Sequence, residues 1–217
     1  MQLTLSLGAP PPPELDNFVS GTNGALIEHL RQIKNGDKSE RMIYWWGAHG
    51  VGKTHLLEAM RGHALIWDDC DSMGEAAQRS AFIAFTEALV ESNKVLLLAG
   101  NVPPAQLRLR EDLRTRIEQC LIFEIKPLSD DDIRVALALT IAQRGVVADP
   151  DLINLFLNRL PRSMGSLRHA VDALDQLSLE RKKPFSLTLA RELLGNTSYL
   201  AQSSADVSSD VTGNIRT

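Results

Sequence analysis

The octapeptide "GAHGVGKT", Gly47 to Thr54, limits what this chain can fold into more than any other stretch. It matches G-x-x-x-x-G-K-T and stands between "MIYWW", a short apolar run rich in β-formers, and the helical pattern "HLLEAM". A glycine-rich turn leading from a buried strand into a helix lets backbone N–H groups point inward around phosphate oxygens. In that arrangement Gly47, Gly50 and Gly52 shape the loop, Lys53 reaches the β- and γ-phosphates, and the Thr54 hydroxyl ligates magnesium.

Such a turn needs a sheet to stand on, and the chain offers one. Apolar runs recur at "HALIW", "KVLLLAG" and "LIFEI", and helical patterns lie between them. One helix is predicted over 24–34 and another from Gly74 to Asn93, with Phe82, Phe85, Ala88 and Leu89 on one face. Continuous apolar strands alternating with helices predict an α/β fold, a parallel sheet covered on both faces, over residues 15–127. From Pro127 the strand runs stop. "SDDDIRVALALTIAQRG" starts on Ser129 with acids in its first turn and ends at Gly145, and three more helical patterns follow within 150–160, 165–180 and 187–194. A small all-helical lid over 128–195 is therefore expected, preceded by an arm and proline spacer over 1–14 and followed by a Ser/Asp/Asn-rich tail over 196–217, predicted to be disordered. The 217 residues, 44% of them apolar, suffice for one sizeable core with a small satellite.

A formal net charge of −4 gives no global pull toward nucleic-acid phosphates or an anionic membrane. Any nucleic-acid contact has to be local or delivered by a partner. The two cysteines, Cys70 and Cys120, have no metal-ligand spacing and read as buried thiols of a reducing compartment, so a soluble cytoplasmic protein is expected. The opening "QLTLSL" is not expected to be a signal peptide. No Lys or Arg precedes it, its apolar residues alternate, and Pro10 to Pro13 cut it off.

Four further features carry candidate functional residues. "ALIWDD" closes an apolar strand with Asp68 and Asp69, the usual position of a carboxylate that holds magnesium through water and of an acid that polarises an attacking water. "LLLAGN" ends another strand in Asn101, at the edge where open α/β sheets bind ligands, although Asn also suits ordinary turns. "LREDLRTRI" carries Arg108, Arg110, Arg114 and Arg116, which charge patterning alone reads as a solvated helix face laced with ion pairs. In "GSLRHAVDAL", Arg168 lies near the start of a lid helix and by itself reads as a surface arginine.

The order of these parts resembles that of the AAA+ ATPases. "LDNFVSGTN", "NVPPAQLRLREDLRTRI" and "LRHAVDALDQL" are similar to the start of the core, the sensor 1 to arginine-finger segment and the sensor 2 helix of the initiator DnaA. The similarity spans about 15–194 and stops where DnaA continues into its DNA-binding domain, which the Ser-rich tail does not accommodate. A core of this kind behind a short arm resembles the Hda family of DnaA regulators, whose arm carries a clamp-binding peptide Q-L-x-L-x-L. Here that peptide reads Gln2, Leu3, Thr4, Leu5, Ser6, Leu7. An extended peptide can anchor through alternating apolar residues and one polar head while prolines hold it clear of the core, whereas a strand added to the protein's own sheet needs no stiff standoff.

The resemblance implies ADP or ATP with Mg2+ at Gly47–Thr54, and Phe18 and Val19 where the base pocket begins. It implies Asp68 as the magnesium acid, Asp69 as its acidic neighbour, Asn101 as sensor 1, Arg116 as a finger acting in trans and Arg168 as sensor 2. It also implies DnaA and the β sliding clamp as partners, with DNA reached only through the clamp, no membrane, and homo-oligomers compatible with the fold. One departure stands out: only His55 to Trp67 separate the loop helix from the acidic strand end, too few for the extra strand and helix of DnaA-like cores. The acidic strand is thereby expected to become an edge. The function expected is inactivation of DnaA by stimulating hydrolysis of its ATP, and so negative regulation of replication initiation, with little turnover by the chain itself. The competing expectations are a self-assembling AAA+ ATPase that loads a helicase or clamp, and a nucleotide-dependent adaptor without hydrolysis.

Overall fold

The run "MIYWW" forms β1 (Met42–Trp46), whose Ile43, Tyr44 and Trp45 are fully buried because both faces of the strand are covered. The computed structural model describes residues 12–37, 39–91 and 93–195. Ahead of β1 lies α1 (Gly24–Lys34), and after it come α2 (Lys53–Ala59), β2 (Leu65–Trp67), α3 (Glu75–Val90), β3 (Leu96–Gly100), α4 (Glu111–Glu118) and β4 (Leu121–Glu124). The remainder is helical: α5 (Asp130–Ala142), α6 (Pro150–Arg159), α7 (Met164–Arg181) and α8 (Leu187–Gly195). Among the described residues one compact unit runs to Ser129 and a second begins at Asp130. The stretch from Gln2 to Leu7, expected to bind the clamp, Pro10, Pro11 and the 196–217 tail lie outside the described residues.

The four strands are parallel in the order β2-β3-β1-β4. Side-chain alternation along the two central strands separates two apolar clusters. Ile43, Trp45, Leu97 and Ala99 pack with α1 and α2, while Tyr44, Leu96 and Leu98 pack with α3 and α4. Buried Asn23 accepts from the Lys126 backbone N–H at 2.8 Å and donates to the Lys126 carbonyl at 2.9 Å, fixing the chain on its way out of β4.

Two expectations need correction. "HALIW" is strand only over Leu65–Trp67, and Leu65 is 44% exposed, because β2 is the edge strand that the shortened core was expected to produce. In α3 the buried face is Ala81, Ala84, Phe85 and Ala88, whereas Leu89 is 60% exposed. The helical repeat carries Leu89 to the flank of the Ala81–Phe85–Ala88 stripe, which is narrower than apolar composition suggests.

In the second unit, α5 to α8 bury Ile133, Leu137, Phe156, Leu167, Val171 and Leu189. Among the described residues, side chains cap the starts of α6 and α7. The Asp149 carboxylate accepts from Asp151 N–H at 2.9 Å ahead of α6, and the Ser163 hydroxyl accepts from Ser166 N–H at 3.2 Å ahead of α7. Among the described residues no helix is long and apolar enough to cross a membrane.

Candidate functional site

Because the strands are parallel, their C-terminal ends share one edge, and the sequence places its polar residues there. The loop after β1 turns through two left-handed glycines, Gly50 (φ 77°) and Gly52 (φ 99°). A Cβ on Gly47 would lie 2.5 Å from the Ile125 carbonyl, and one on Gly52 would lie 2.6 Å from Phe18 Cε2. Both positions therefore exclude side chains. Lys53 is 6% exposed, and its ammonium donates to the Gly47 and Ala48 carbonyls at 2.9 and 3.0 Å. Burial pushes its pKa down, and the Asp68, Asp69 and Asp71 charges oppose that shift. The Phe18 ring that covers Gly52 lies 5.6 Å from the His55 ring, and Val19 beside it is half-buried.

Across the edge the acids are ordered by hydrogen bonds. Thr54 Oγ1 donates to Asp68 Oδ2 at 2.5 Å, joining the start of α2 to the end of β2. Asp69 adopts a left-handed φ of 46°, and its carboxyl is raised first by burial and then by Asp68 and Asp71. Asp71 accepts from both the backbone N–H and the side-chain Nδ2 of Asn101, each at 2.7 Å. Burial alone would raise Asp71, but these bonds, its own backbone N–H and the Lys53 charge together outweigh it and hold the carboxyl below its ordinary value. Asn101 follows the β3 residue that pairs with Trp46, and Gly47 N–H donates to the Gly100 carbonyl at 3.3 Å, so Asn101 stands beside the first glycine of the loop. Among the described residues no group of three or more His, Cys, Asp or Glu side chains forms a metal cage. Thr54 and Asp68 suit an ion such as Mg2+, which takes one or two protein oxygens and completes its shell with phosphate and water.

The arginines of the α4 segment are not equivalent. Arg110 pairs with Asp112 at 2.7 Å and Arg114 with Glu118 at 3.7 Å. Arg116 has no carboxylate partner among the described residues. Its guanidinium lies 4.5 Å from the centre of the Phe82 ring on α3. Arg168 belongs to the second unit, half-buried in the second turn of α7.

Residues 130–194 match the family described as "Hda, lid domain". Domain III of the replication initiation protein DnaA from Thermotoga maritima has this fold, with a TM-score of 0.72 at 17% identity, over 87% of this chain and 98% of that one. The chain has a DnaA-like AAA+ fold, and its residues 130–194 are an Hda-type lid. AMPPCP-bound DnaA from Aquifex aeolicus is similar over 80% of this chain and 69% of its own, at 19% identity and a TM-score of 0.64. DnaA bound to AMPPCP and single-stranded DNA is similar over 80% of this chain and 68% of its own, at 20% identity and 0.66. At such identities these likenesses concern the fold.

The structure brings Gly47, Gly52, Lys53, Thr54, Asp68, Asp69 and Asn101 to one sheet edge, with Phe18 against the loop. Two residues escaped the sequence reading. Asp71 is the last acid of "DDCD", a run that says nothing of which neighbouring strand end each acid faces. Phe82 reads as one more core aromatic until Arg116 is found on its ring. The loop itself supplies a test. Gly52→Ala would force a side chain into left-handed backbone and displace Phe18, so it is expected to lower stability by about 1–3 kcal/mol. A thermal melt displaced by several degrees checks this; an unchanged melt would mean that the loop is looser than its geometry.

Proposed function

We propose that this chain holds ADP or ATP with Mg2+ in the Gly47–Thr54 loop and inactivates DnaA by stimulating hydrolysis of DnaA-bound ATP, tethered by its arm to the DNA-loaded sliding clamp. The observation that carries the reading is Arg116, whose guanidinium rests on an aromatic face while its neighbours Arg110 and Arg114 are engaged with acids. An arginine in that state keeps its N–H donors for a phosphate and has no ion pair to break. An arginine offered in trans to a γ-phosphate can raise hydrolysis by ~10³–10⁵.

In this reading residues 15–127 are the nucleotide-binding domain and 128–195 the lid. Bound nucleotide supplies the negative charge that the buried Lys53 ammonium neutralises, and the AMPPCP-bound DnaA relatives support that occupant. Gly47, Gly50 and Gly52 leave room for the phosphates, Thr54 and Asp68 hold the ion, and Asp69 supplies the neighbouring acid. Phe18 and Val19 border the base, and Asn101 and Arg168 act as the two sensors. The arm, Gln2 with Leu3, Leu5 and Leu7, engages the clamp.

Steady-state ATPase assays of the protein alone, with DnaA, and with DnaA plus DNA-loaded clamp test the reading. Turnover should rise sharply only in the last. Replacing Gln2, Leu3, Leu5 and Leu7 by Ala should abolish clamp binding and that rise, with the melting temperature almost unchanged. A large fall in melting temperature would instead make the arm a strand of the protein's own sheet, and rapid ATP turnover by the protein alone would favour a self-assembling ATPase.

A further inference from the structure

The grip of Asp71 on Asn101 is not needed for any role assigned above. Asp71 sits in a short 3-10 turn, Cys70–Ser72, and takes two hydrogen bonds from a single residue at the end of β3. The backbone bond alone would be enough to anchor the strand end. The side-chain bond takes one of the two Nδ2 protons and fixes where the other points, and it leaves Asn101 Oδ1 buried without a hydrogen-bond partner. Turning the carboxamide over would set its oxygen against the carboxylate, so Asp71 fixes the amide in one orientation at the cost of an unsatisfied acceptor. Gly100, next to Asn101, is packed so closely that a Cβ there would lie 3.1 Å from Asp71 Oδ1 and collide with the Tyr44 hydroxyl. The Tyr44 hydroxyl in turn donates to the Val102 carbonyl at 2.6 Å. The backbone on both sides of Asn101 is thus held, and the side chain is the part left to move.

Asn101 stands beside Gly47, the first residue of the phosphate loop. A terminal phosphate oxygen bound there would seek a carboxamide N–H, and Asp71 holds one of the two and fixes the direction of the other. We propose that Asp71 is a positioning residue that withholds the Asn101 carboxamide from a bound terminal phosphate, and so sets how strongly the site distinguishes a nucleoside triphosphate from a diphosphate. The inference rests on the reading that the Gly47–Thr54 loop holds a nucleotide. It adds that the third acid of "DDCD" competes with the ligand for the amide, while Asp68 at the start of the same run serves the ion.

A double-substitution cycle read by nucleotide binding tests this, with ADP and a non-hydrolysable ATP analogue titrated in a calorimeter. Asp71→Asn keeps the side-chain shape and an acceptor for the Asn101 backbone N–H but removes the charged acceptor at the carboxamide, so the grip on the amide is loosened. The affinity for the ATP analogue relative to ADP should rise about tenfold, the scale of one hydrogen bond to a charged group. Asp71→Ala should act in the same direction, and thermal melts identify the variant that keeps its fold. In an Asn101→Ala background the same substitutions should change the ratio less than about twofold, because the released donor is gone. A purely structural Asp71 would weaken both nucleotides equally, and a purely electrostatic one would shift the ratio as much with Asn101 as without it. Either result overturns the proposal while leaving the nucleotide site standing. Failure of the wild-type protein to bind either nucleotide would remove the site and this inference together.

Discussion

Lys53→Ala is expected to weaken ADP and ATP binding at least about a hundredfold, the equivalent of roughly 3 kcal/mol from lost charge-assisted contacts. In the ligand-free protein the ammonium satisfies itself on the Gly47 and Ala48 carbonyls at 2.9 and 3.0 Å, and burial lowers its pKa. The sign of that shift matters. A lysine whose folded pKa lies below its unfolded one is a cost to the folded state at neutral pH, where it is charged in both states, and the cost fades as pH rises through the lysine range. Removing Lys53 therefore takes away a penalty along with two hydrogen bonds, and the melting temperature of the ligand-free variant should hold. Loss of nucleotide binding without loss of fold identifies the lysine as the phosphate charge. Unchanged affinity in a calorimetric titration would make the loop a structural turn.

The parts of the fold that sequence conveyed well are those decided locally. The ends of α1 are legible because a turn precedes Gly24 and Asn35–Gly36 follows Lys34, and β1 is legible because a run apolar on both faces belongs inside a sheet. The misjudged parts depend on neighbours. "LIFEI" reads as a buried strand, yet Ile122 is 40% exposed, since β4 lies at one edge of the sheet, whereas the edge position of β2 is expected from the short segment between His55 and Trp67. Position within a sheet follows from topology, which a five-residue run does not encode. The candidate site divides in the same way. The phosphate loop, Thr54 and Asp68 follow from motif spacing, and the Thr54–Asp68 bond at 2.5 Å joins them. The pairing of Asp71 with Asn101, 30 residues apart, and of Phe82 with Arg116 emerge only when the strand ends and α3–α4 are set side by side.

The second large effect is expected at Arg116. Arg116→Ala removes a cation–π contact worth about 0.5–1 kcal/mol at a partly exposed site, so the protein should melt within a few degrees of wild type. Its own nucleotide affinity should be unaltered, because Arg116 lies on α4 and touches none of the loop residues. Binding to the clamp should be equally unaffected. Stimulation of DnaA, by contrast, should fall by about 10³-fold or more, the range that an arginine in trans supplies where charge develops at a γ-phosphate. Arg116→Lys should rescue little of it, since a point charge replaces a planar group with several donors.

The measurement that bears most directly on the proposed regulation is the turnover of DnaA-bound ATP in the presence of DNA-loaded clamp, compared for no added protein, wild type and Arg116→Ala. The account predicts a large acceleration by wild type and turnover near the unstimulated level with Arg116→Ala, at matched clamp binding. Equal turnover with wild type and variant would contradict it.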